Sequence, residues 1–197
     1  MTPETGELPH DHDRLPQRHQ LPLWEARMAM VGLFWITEDC VYVGAEPTGT
    51  APGVRLTKDG VETLGSDQGG RSWSWDSVGG IDVQDVAVRS TARRLASVAF
   101  DSLVVLFTGD GEHPPAFTVR VETETDGPIE ATALAAAPGG IHTPDEHALS
   151  RTLLTRLTTG ATPVDDLLTW RRDEPEDAAP TRDERLALLR RWTTASA

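Results

Sequence analysis

Turn residues cut the apolar sequence before residue 140 into short runs, and this limits the possible folds more than any other feature. Residues 54–57 and 61–64 are two such runs, separated by Lys58, Asp59 and Gly60. An Asp-Gly pair between apolar runs is typical of a hairpin, because a tight primed turn needs positive φ there. Runs of this length and spacing predict an antiparallel β domain over residues 23–140.

Two segments of this β region carry unusual patterns. In residues 28–37 both the odd and the even positions are mostly apolar, so both faces of a strand there would be apolar. This predicts one strand that is covered on both faces or presents one face to a partner. Trp73 and Trp75 alternate with serines, so we expect the two indoles to share a face of a strand. Both segments are therefore candidates for binding as well as for packing.

The end of the β region contains further strand signals and one helix signal. Residues 98–107 and 117–121 have the apolar content expected of strands. Residues 128–137 are short and alanine-rich, and Pro138 follows them. This composition predicts a short helix that caps the β domain.

The last third of the chain carries repeated helix-start signals. Thr143 begins the capping box Thr-Pro-Asp-Glu, and similar threonines stand at Thr162 and Thr181. Leucines at helical spacing follow each of them, so residues 141–197 are predicted to be a helical extension with three helices. Residues 173–180 are acidic and bounded by proline, which indicates a linker that tethers a mobile last helix.

Charge and composition exclude several partners. The 197 residues include 18 basic and 31 acidic ones, a formal charge of −13, and such a surface repels nucleic acid and anionic lipid at long range. No apolar stretch is long enough to cross a bilayer, and no secretion signal is recognisable at the start, so we expect a cytoplasmic protein. Residues 1–22 are rich in proline and histidine and predict a disordered tail.

Local sequence in the β region resembles a known family. The stretch LFWITEDCVYV at 33–43 is similar to the first hairpin of GRAM-like domains, an apolar strand, a Thr-acid turn and an aromatic-bearing strand. The stretch WSWDSVGGIDV at 73–83 resembles the tryptophan-valine-valine pattern of bacterial relatives. Over residues 28–137 the resemblance implies a pleckstrin-homology/GRAM-like fold, an antiparallel β-barrel or bent sheet of the α+β class.

The same resemblance implies phosphoinositide binding for some members, and here the residues disagree. Those members use lysines and arginines around the first hairpin turn, where this chain has Glu38 and Asp39. Two carboxylates repel a phosphorylated headgroup and are costly to desolvate beside it. Lipid binding is therefore not expected, whereas the protein-binding and scaffolding roles of the superfamily are.

Motifs for catalysis are missing from the sequence. It has no G-x-S-x-G, P-loop, G-x-G-x-x-G, HExxH or CxxC pattern. Cys40 is the only cysteine and has no partner marked by the sequence, while His142 and His147 are five residues apart and do not share a helical face. We therefore expect no enzyme activity, no cofactor and no metal.

Two surfaces remain as binding candidates. Leu186, Leu189, Trp192 and Arg190 belong to an amphipathic last helix, which either docks into a protein partner or packs back on its own β domain. This predicts a non-catalytic interaction or scaffolding module of a cytoplasmic complex. A single lysine, Lys58, among arginines is typical of high-G+C bacterial coding.

An alternative function belongs to a different class. A small anionic ligand would bind at the barrel mouth, between aromatic rings and arginines. The candidate residues are Trp73, Trp75, Tyr42, Arg89, Arg93 and Arg94.

Overall fold

The fold consists of two antiparallel sheets followed by three helices, in a computed structural model that describes residues 29–65, 70–89, 115–175 and 179–194. The first sheet has six strands in sequential order: β1 Ala29–Val31, β2 Phe34–Ile36, β3 Val41–Val43, β4 Gly53–Leu56, β5 Gly60–Leu64 and β6 Ser72–Ser74. The second has three: β7 Val78–Gln84, β8 Ala116–Thr123 and β9 Gly127–Leu134. The α+β class and the antiparallel pairing are as predicted. No closed barrel forms among these residues.

The prediction of one strand over residues 28–37 is wrong. Gly32 adopts a φ of 61°, and the chain reverses there, so that β1 pairs with β2. A side chain on Gly32 would collide with Ser150 Oγ, which also accepts a hydrogen bond of 3.1 Å from Leu33 N. Apolar residues occur at both odd and even positions because a tight hairpin under a helix buries residues on both of its strands and in its turn.

The hairpin at Lys58 and Asp59 is confirmed, but the physical reason differs from the predicted one. Neither Asp59 nor Gly60 has positive φ. The Thr57 hydroxyl instead accepts from the backbone N of Asp59 at 3.3 Å and of Gly60 at 3.2 Å. Glycine is required at position 60 because a Cβ there would meet the backbone of Trp73 on the next strand.

The predicted capping helix at 128–137 is also wrong. This segment forms β9, which pairs with β8 in continuous register from Thr123↔Gly127 to Ala116↔Leu134. Ala131 and Ala133 alternate with exposed residues and face the core. Strand pairing and this two-residue alternation therefore override the helix propensity of alanine.

The two sheets meet at two corners. A short 3-10 turn, Trp75–Ser77, carries the chain from β6 into β7, so Trp75 is not part of the strand that holds Trp73. At the other corner Ala45 N donates to Leu134 O at 2.7 Å. The sheets thus form a bent, open shell around one core.

Three helices close the core: α1 Pro144–Thr158, α2 Val164–Asp173 and α3 Arg182–Thr194. Thr143 forms the predicted capping box with Glu146, and Thr181 forms a similar one with Glu184. Thr162 does not cap α2, because its hydroxyl is buried and donates to Trp192 O at 2.8 Å. No helix among the described residues is long and apolar enough to span a bilayer.

Some predicted features fall outside the part of the chain that the structure describes. They are the tail at residues 1–22, the strand at 98–107 and the middle of the linker at 173–180. The last helix beyond that linker is packed against α1 and against the edge strand β1. The helical extension is therefore part of the same folded body as the sheets.

Candidate interaction surface

The apolar face of the last helix is used by the chain itself. Leu186, Leu189 and Trp192 are buried, with exposed fractions of 8%, 0% and 3%. Leu189 packs beside Gly32 in the first hairpin. Of the predicted partner-binding residues only Arg190 is exposed. The sequence showed an amphipathic helix correctly, but amphipathicity alone does not say whether a partner or the chain covers the apolar face.

The aromatic residues of the alternative ligand site do not converge. Trp73 lies on the core face of the six-stranded sheet, where its Nε1 donates to Asp126 Oδ2 at 2.9 Å. Trp75 donates through Nε1 to Thr57 O at 3.0 Å. Tyr42 is on the opposite face of the sheet from Trp73, as the strand registers require. These three rings cannot line one cavity.

Only one of the three arginines proposed for that site lies in the part of the chain that the structure describes. Arg89 is exposed, and its backbone N donates to His142 O at 2.8 Å. Arg93 and Arg94 lie outside the described residues. The structure therefore offers no anion-binding cluster around Trp73 and Trp75 in the region it describes.

The side chains considered above for catalysis or metal binding include Cys40 and His142, and both are buried. Cys40 is buried, and its Sγ is 3.5 Å from the Thr37 hydroxyl. His142 is 3% exposed, its Nε2 has no hydrogen-bond partner among the described residues, and burial lowers its pKa. No group of three potential metal ligands comes together within the described ranges.

A cross-strand row of side chains lies on the outer face of the six-stranded sheet, and sequence reasoning missed it. Consecutive strands contribute one residue each in direct register: Met30, Trp35, Tyr42, Arg55, Glu62 and Ser72. We call this set the outer row. Its neighbours along the strands, such as Val31 and Phe34, are fully buried in the core. Three of its six members are nevertheless apolar or aromatic, which is unusual for the outer face of a sheet.

The polar half of the outer row is internally paired. Arg55 donates through Nε to Glu62 Oε2 at 2.8 Å, and its NH2 group contacts the same oxygen. The hydrogen bond to Glu62 raises the pKa of Arg55. The positive charge of this face is therefore already neutralised by the chain.

The aromatic half borders an exposed carboxylate. Tyr42 OH donates to Glu46 Oε1 at 3.4 Å, and Glu46 is exposed. Burial, and then the neighbouring Cys40, raise the pKa of Tyr42, so the phenol stays protonated as a donor. Because Tyr42 itself is only 8% exposed, the exposed group at this edge is the Glu46 carboxylate.

The outer face of the three-stranded sheet is different in chemistry. Asp82, Arg120 and Glu130 form its central cross-strand row. Arg120 Nε also donates to Glu122 at 2.7 Å, and α1 reaches this sheet through Arg151, which contacts Asp82 at 2.8 Å. This face is polar throughout its centre, as expected for a surface that is solvated.

A groove of about 430 Å³ lies between α2 and α3. Its apolar walls include Trp170 and Leu188, and Glu174, Glu184 and Arg191 stand at its rim. The Trp170 indole donates to Glu174 at 3.1 Å and packs edge-on against Trp192, with centroids 5.5 Å apart. The groove is a concave surface with which the outer row can be compared.

The fold places this chain in the α+β class, with antiparallel sheets followed by helices. No family model, no curated protein and no solved structure matches the chain. Function is therefore argued from the surfaces described above.

Proposed function

We propose that this chain is a non-catalytic protein-interaction or scaffolding module of a cytoplasmic bacterial complex, and that it binds its partner through the outer row. The proposal includes a pleckstrin-homology/GRAM-like origin for the two sheets. That origin is supported by the order of short antiparallel strands followed by a helix that packs on them. It remains a resemblance in architecture, and fold alone does not supply function.

One observation carries the proposal: Met30, Trp35 and Tyr42 are adjacent on the face of the six-stranded sheet opposite to Val31 and Phe34, and Met30 and Trp35 are partly exposed there, whereas Tyr42 is buried. Ile141 is the only large apolar residue classed as exposed in the described residues, so apolar surface is otherwise rare. Tryptophan and tyrosine dominate binding energies at protein interfaces, because each contributes a large rigid surface and a polar group. We therefore take the partly exposed Trp35 as the candidate anchor for a partner.

The proposal is tested by photo-cross-linking in the source cells. A benzoylphenylalanine in place of Trp35 is expected to cross-link one main protein partner. Two matched positions serve as controls: Thr118 on the outer face of the three-stranded sheet and Leu188 in the groove between α2 and α3. Neither should give the same product.

Each alternative outcome identifies a different error. Equal cross-linking from all three positions would indicate unspecific contact. A partner captured only from position 188 would place the interaction in the helical groove. The absence of any product at position 35, with the variant folded, would contradict the proposed interaction through this face.

A further inference from the structure

We infer that the groove between α2 and α3 binds a short peptide with free ends, about three residues long, whose amino group lies at Glu184 and whose carboxylate pairs with Arg191. This goes beyond the proposed function, because it concerns other residues and a small ligand rather than a protein partner. The shape of the groove, the order of its charges and the availability of those charges support it.

The groove combines open space with apolar walls. Its volume of about 430 Å³ lies near the lower end of the range for small-ligand sites. Trp170 and Leu188 on these walls are half-buried, and Ala187 is exposed. The Trp170 indole is held in place by its hydrogen bond to Glu174 and its edge-on contact with Trp192. A ligand therefore meets a wall that is already ordered, which lowers the cost of binding.

The charges of the groove follow the helical repeat of α3. Glu184, Leu188 and Arg191 stand on one stripe of this helix, because residues three and four positions apart share a face. With a rise of about 1.5 Å per residue, the Cα atoms of Glu184 and Arg191 are about 10 Å apart. The stripe thus runs from a carboxylate over an apolar side chain to a guanidinium. Three extended residues also span about 10 Å, so the two ends of a tripeptide match the two charges.

The guanidinium of Arg191 is available to a ligand. Arg191 is exposed and has no carboxylate partner among the described residues, whereas Arg172 pairs with Asp165 and Arg185 pairs with Glu146. A guanidinium without a partner offers a carboxylate two parallel hydrogen bonds. The carboxylate end of a peptide therefore belongs at Arg191.

The carboxylate of Glu184 is charged and has room for a cation. Its Oε2 accepts from Thr181 N at 2.7 Å and from the Thr181 hydroxyl at 2.8 Å, and these bonds lower the pKa of Glu184. Both donors are neutral, so they leave the negative charge uncompensated. Its Oε1 has no partner within the part of the chain that the structure describes. A peptide ammonium group fits this position.

A zwitterion suits this groove better than a simple ion does. An anion approaches a chain with a formal charge of −13 and meets two carboxylates at the rim, Glu174 and Glu184. A cation meets Arg191 in the same groove. A peptide with free ends and uncharged side chains has no net charge, so long-range repulsion does not oppose it. Its middle side chain then packs on Trp170 and Leu188.

The test titrates the isotope-labelled full chain with the tripeptide Ala-Leu-Ala at physiological ionic strength and follows the indole N–H signals by NMR. We expect the Trp170 signal to shift until the groove is saturated, because its acceptor Glu174 lines the groove. Its loss in Trp170→Phe identifies this signal. Trp73 and Trp75, whose indoles donate to other groups, are internal controls and should stay in place. A Trp170 signal that does not move would overturn the inference.

Matched variants separate the groove from general attraction. Arg191→Gln should weaken binding about fivefold, as for an exposed ion pair. Arg190→Gln removes the same charge from an exposed neighbour that does not line the groove, and should leave binding unchanged. Glu184→Gln keeps the capping box, which also accepts glutamine, and should weaken binding about threefold, with Asp183→Asn as its control. Equal losses from a variant and its control would show that net charge alone attracts the peptide.

Blocked peptides assign the two ends. An amidated peptide lacks the carboxylate, so Arg191→Gln should no longer affect its binding. An acetylated peptide lacks the ammonium group, so it should be insensitive to Glu184→Gln. The opposite pairing would contradict the proposed direction of the peptide.

The remaining outcomes point to other occupants. A peptide blocked at both ends that binds as tightly as the free one would assign the groove to an internal segment of a protein. Binding that appears only after deletion of residues 195–197 would assign it to the chain itself. Either result would overturn the inference. Cross-linking at Trp35 concerns a different site, so the proposed function stands or fails independently of these titrations.

Discussion

The outer faces of the two sheets carry different kinds of side chain: charged on the three-stranded sheet, and partly apolar on the six-stranded sheet. The three-stranded sheet places Asp82, Arg120 and Glu130 across its outer face, where Arg120 pairs with Glu130 and Asp82 pairs with Arg151 of α1. The six-stranded sheet places Met30, Trp35 and Tyr42 in the same type of position. Because both sheets share one core, folding alone does not require aromatic residues on the outer face of one of them. The proposed binding through the six-stranded face is based on this difference.

The largest expected effect separates the core face of the six-stranded sheet from its outer face. Phe34 is fully buried, so Phe34→Ala should lower the free energy of unfolding by about 3–5 kcal/mol. Trp35→Ala, one residue away on the outer face, should cost about 1–2 kcal/mol, because its side chain is only half-buried. Urea denaturation measures both. Equal costs would mean that Trp35 belongs to the core and would remove the basis of the comparison.

The hairpin glycines of the two sheets provide the next test. Gly32 and Gly127 both have positive φ, 61° and 72°. A Cβ on Gly127 meets nothing within 4 Å, so Gly127→Ala should cost about 1–2 kcal/mol from backbone strain. Gly32→Ala should cost about 1 kcal/mol more, since its Cβ also collides with Ser150. Thermal or urea unfolding that ranks the two in reverse would show that α1 does not press on the first hairpin.

A smaller effect concerns acid stability at the joint between the three-stranded sheet and α1. The backbone of His142 bonds to Ala87 and Arg89 just after β7, and its buried imidazole faces Glu146, His147 and Arg185. Burial lowers the pKa of His142 below its ordinary 6.5. The unfolded chain therefore takes up this proton first. Stability is complete above pH 6.5 and is lost as the pH falls through the range down to the folded pKa.

Hydrogen exchange at two pH values checks this expectation. On acidification, amides at the end of β7 should lose protection before those of β4 and β5. His142→Gln should flatten the loss of unfolding free energy as the pH falls below about 6.5. Burial also lowers the pKa of His147, but this residue is less buried, so His147→Gln should remove a smaller part. A full acid response in His142→Gln would refute the assignment.

The smallest effects are expected at the ion pairs of the two outer faces. Arg55→Met should cost at most about 1 kcal/mol, because the pair with Glu62 is half-exposed. Arg120→Met on the other sheet should leave stability unchanged, because its pairs with Glu122 and Glu130 are solvated. A clear loss at Arg120 with none at Arg55 would contradict the assignment of the solvated face to the three-stranded sheet.

Local signals predicted the elements whose causes are local. The capping box at Thr143 and the turn at Lys58 and Asp59 are both confirmed, since each depends on neighbours within a few residues. Residues 128–137 were misjudged because alanine favours a helix in isolation, whereas pairing with β8 decides the outcome. The same limit applies to residues 28–37, where the reversal at Gly32 depends on Ser150.

The candidate site could not be predicted because it exists only through register. Met30, Trp35 and Tyr42 are five and seven residues apart in sequence, and nothing local marks them as neighbours. The predicted helix face at Leu186, Leu189 and Trp192 was chemically plausible, but the chain covers it with its own first hairpin and α1. A hairpin at Gly32, if recognised, would have placed Trp35 opposite Met30 and revealed the first part of the row.

The hydrogen bond from Leu33 N to Ser150 Oγ joins residues 117 positions apart. The edge strand beside it is covered by α3, which ends at Thr194. During synthesis the opening hairpin therefore leaves the ribosome long before the groups that complete it. Until α1 and α3 have been made, the backbone of this hairpin lacks these partners, and an unpaired strand edge of this kind favours aggregation.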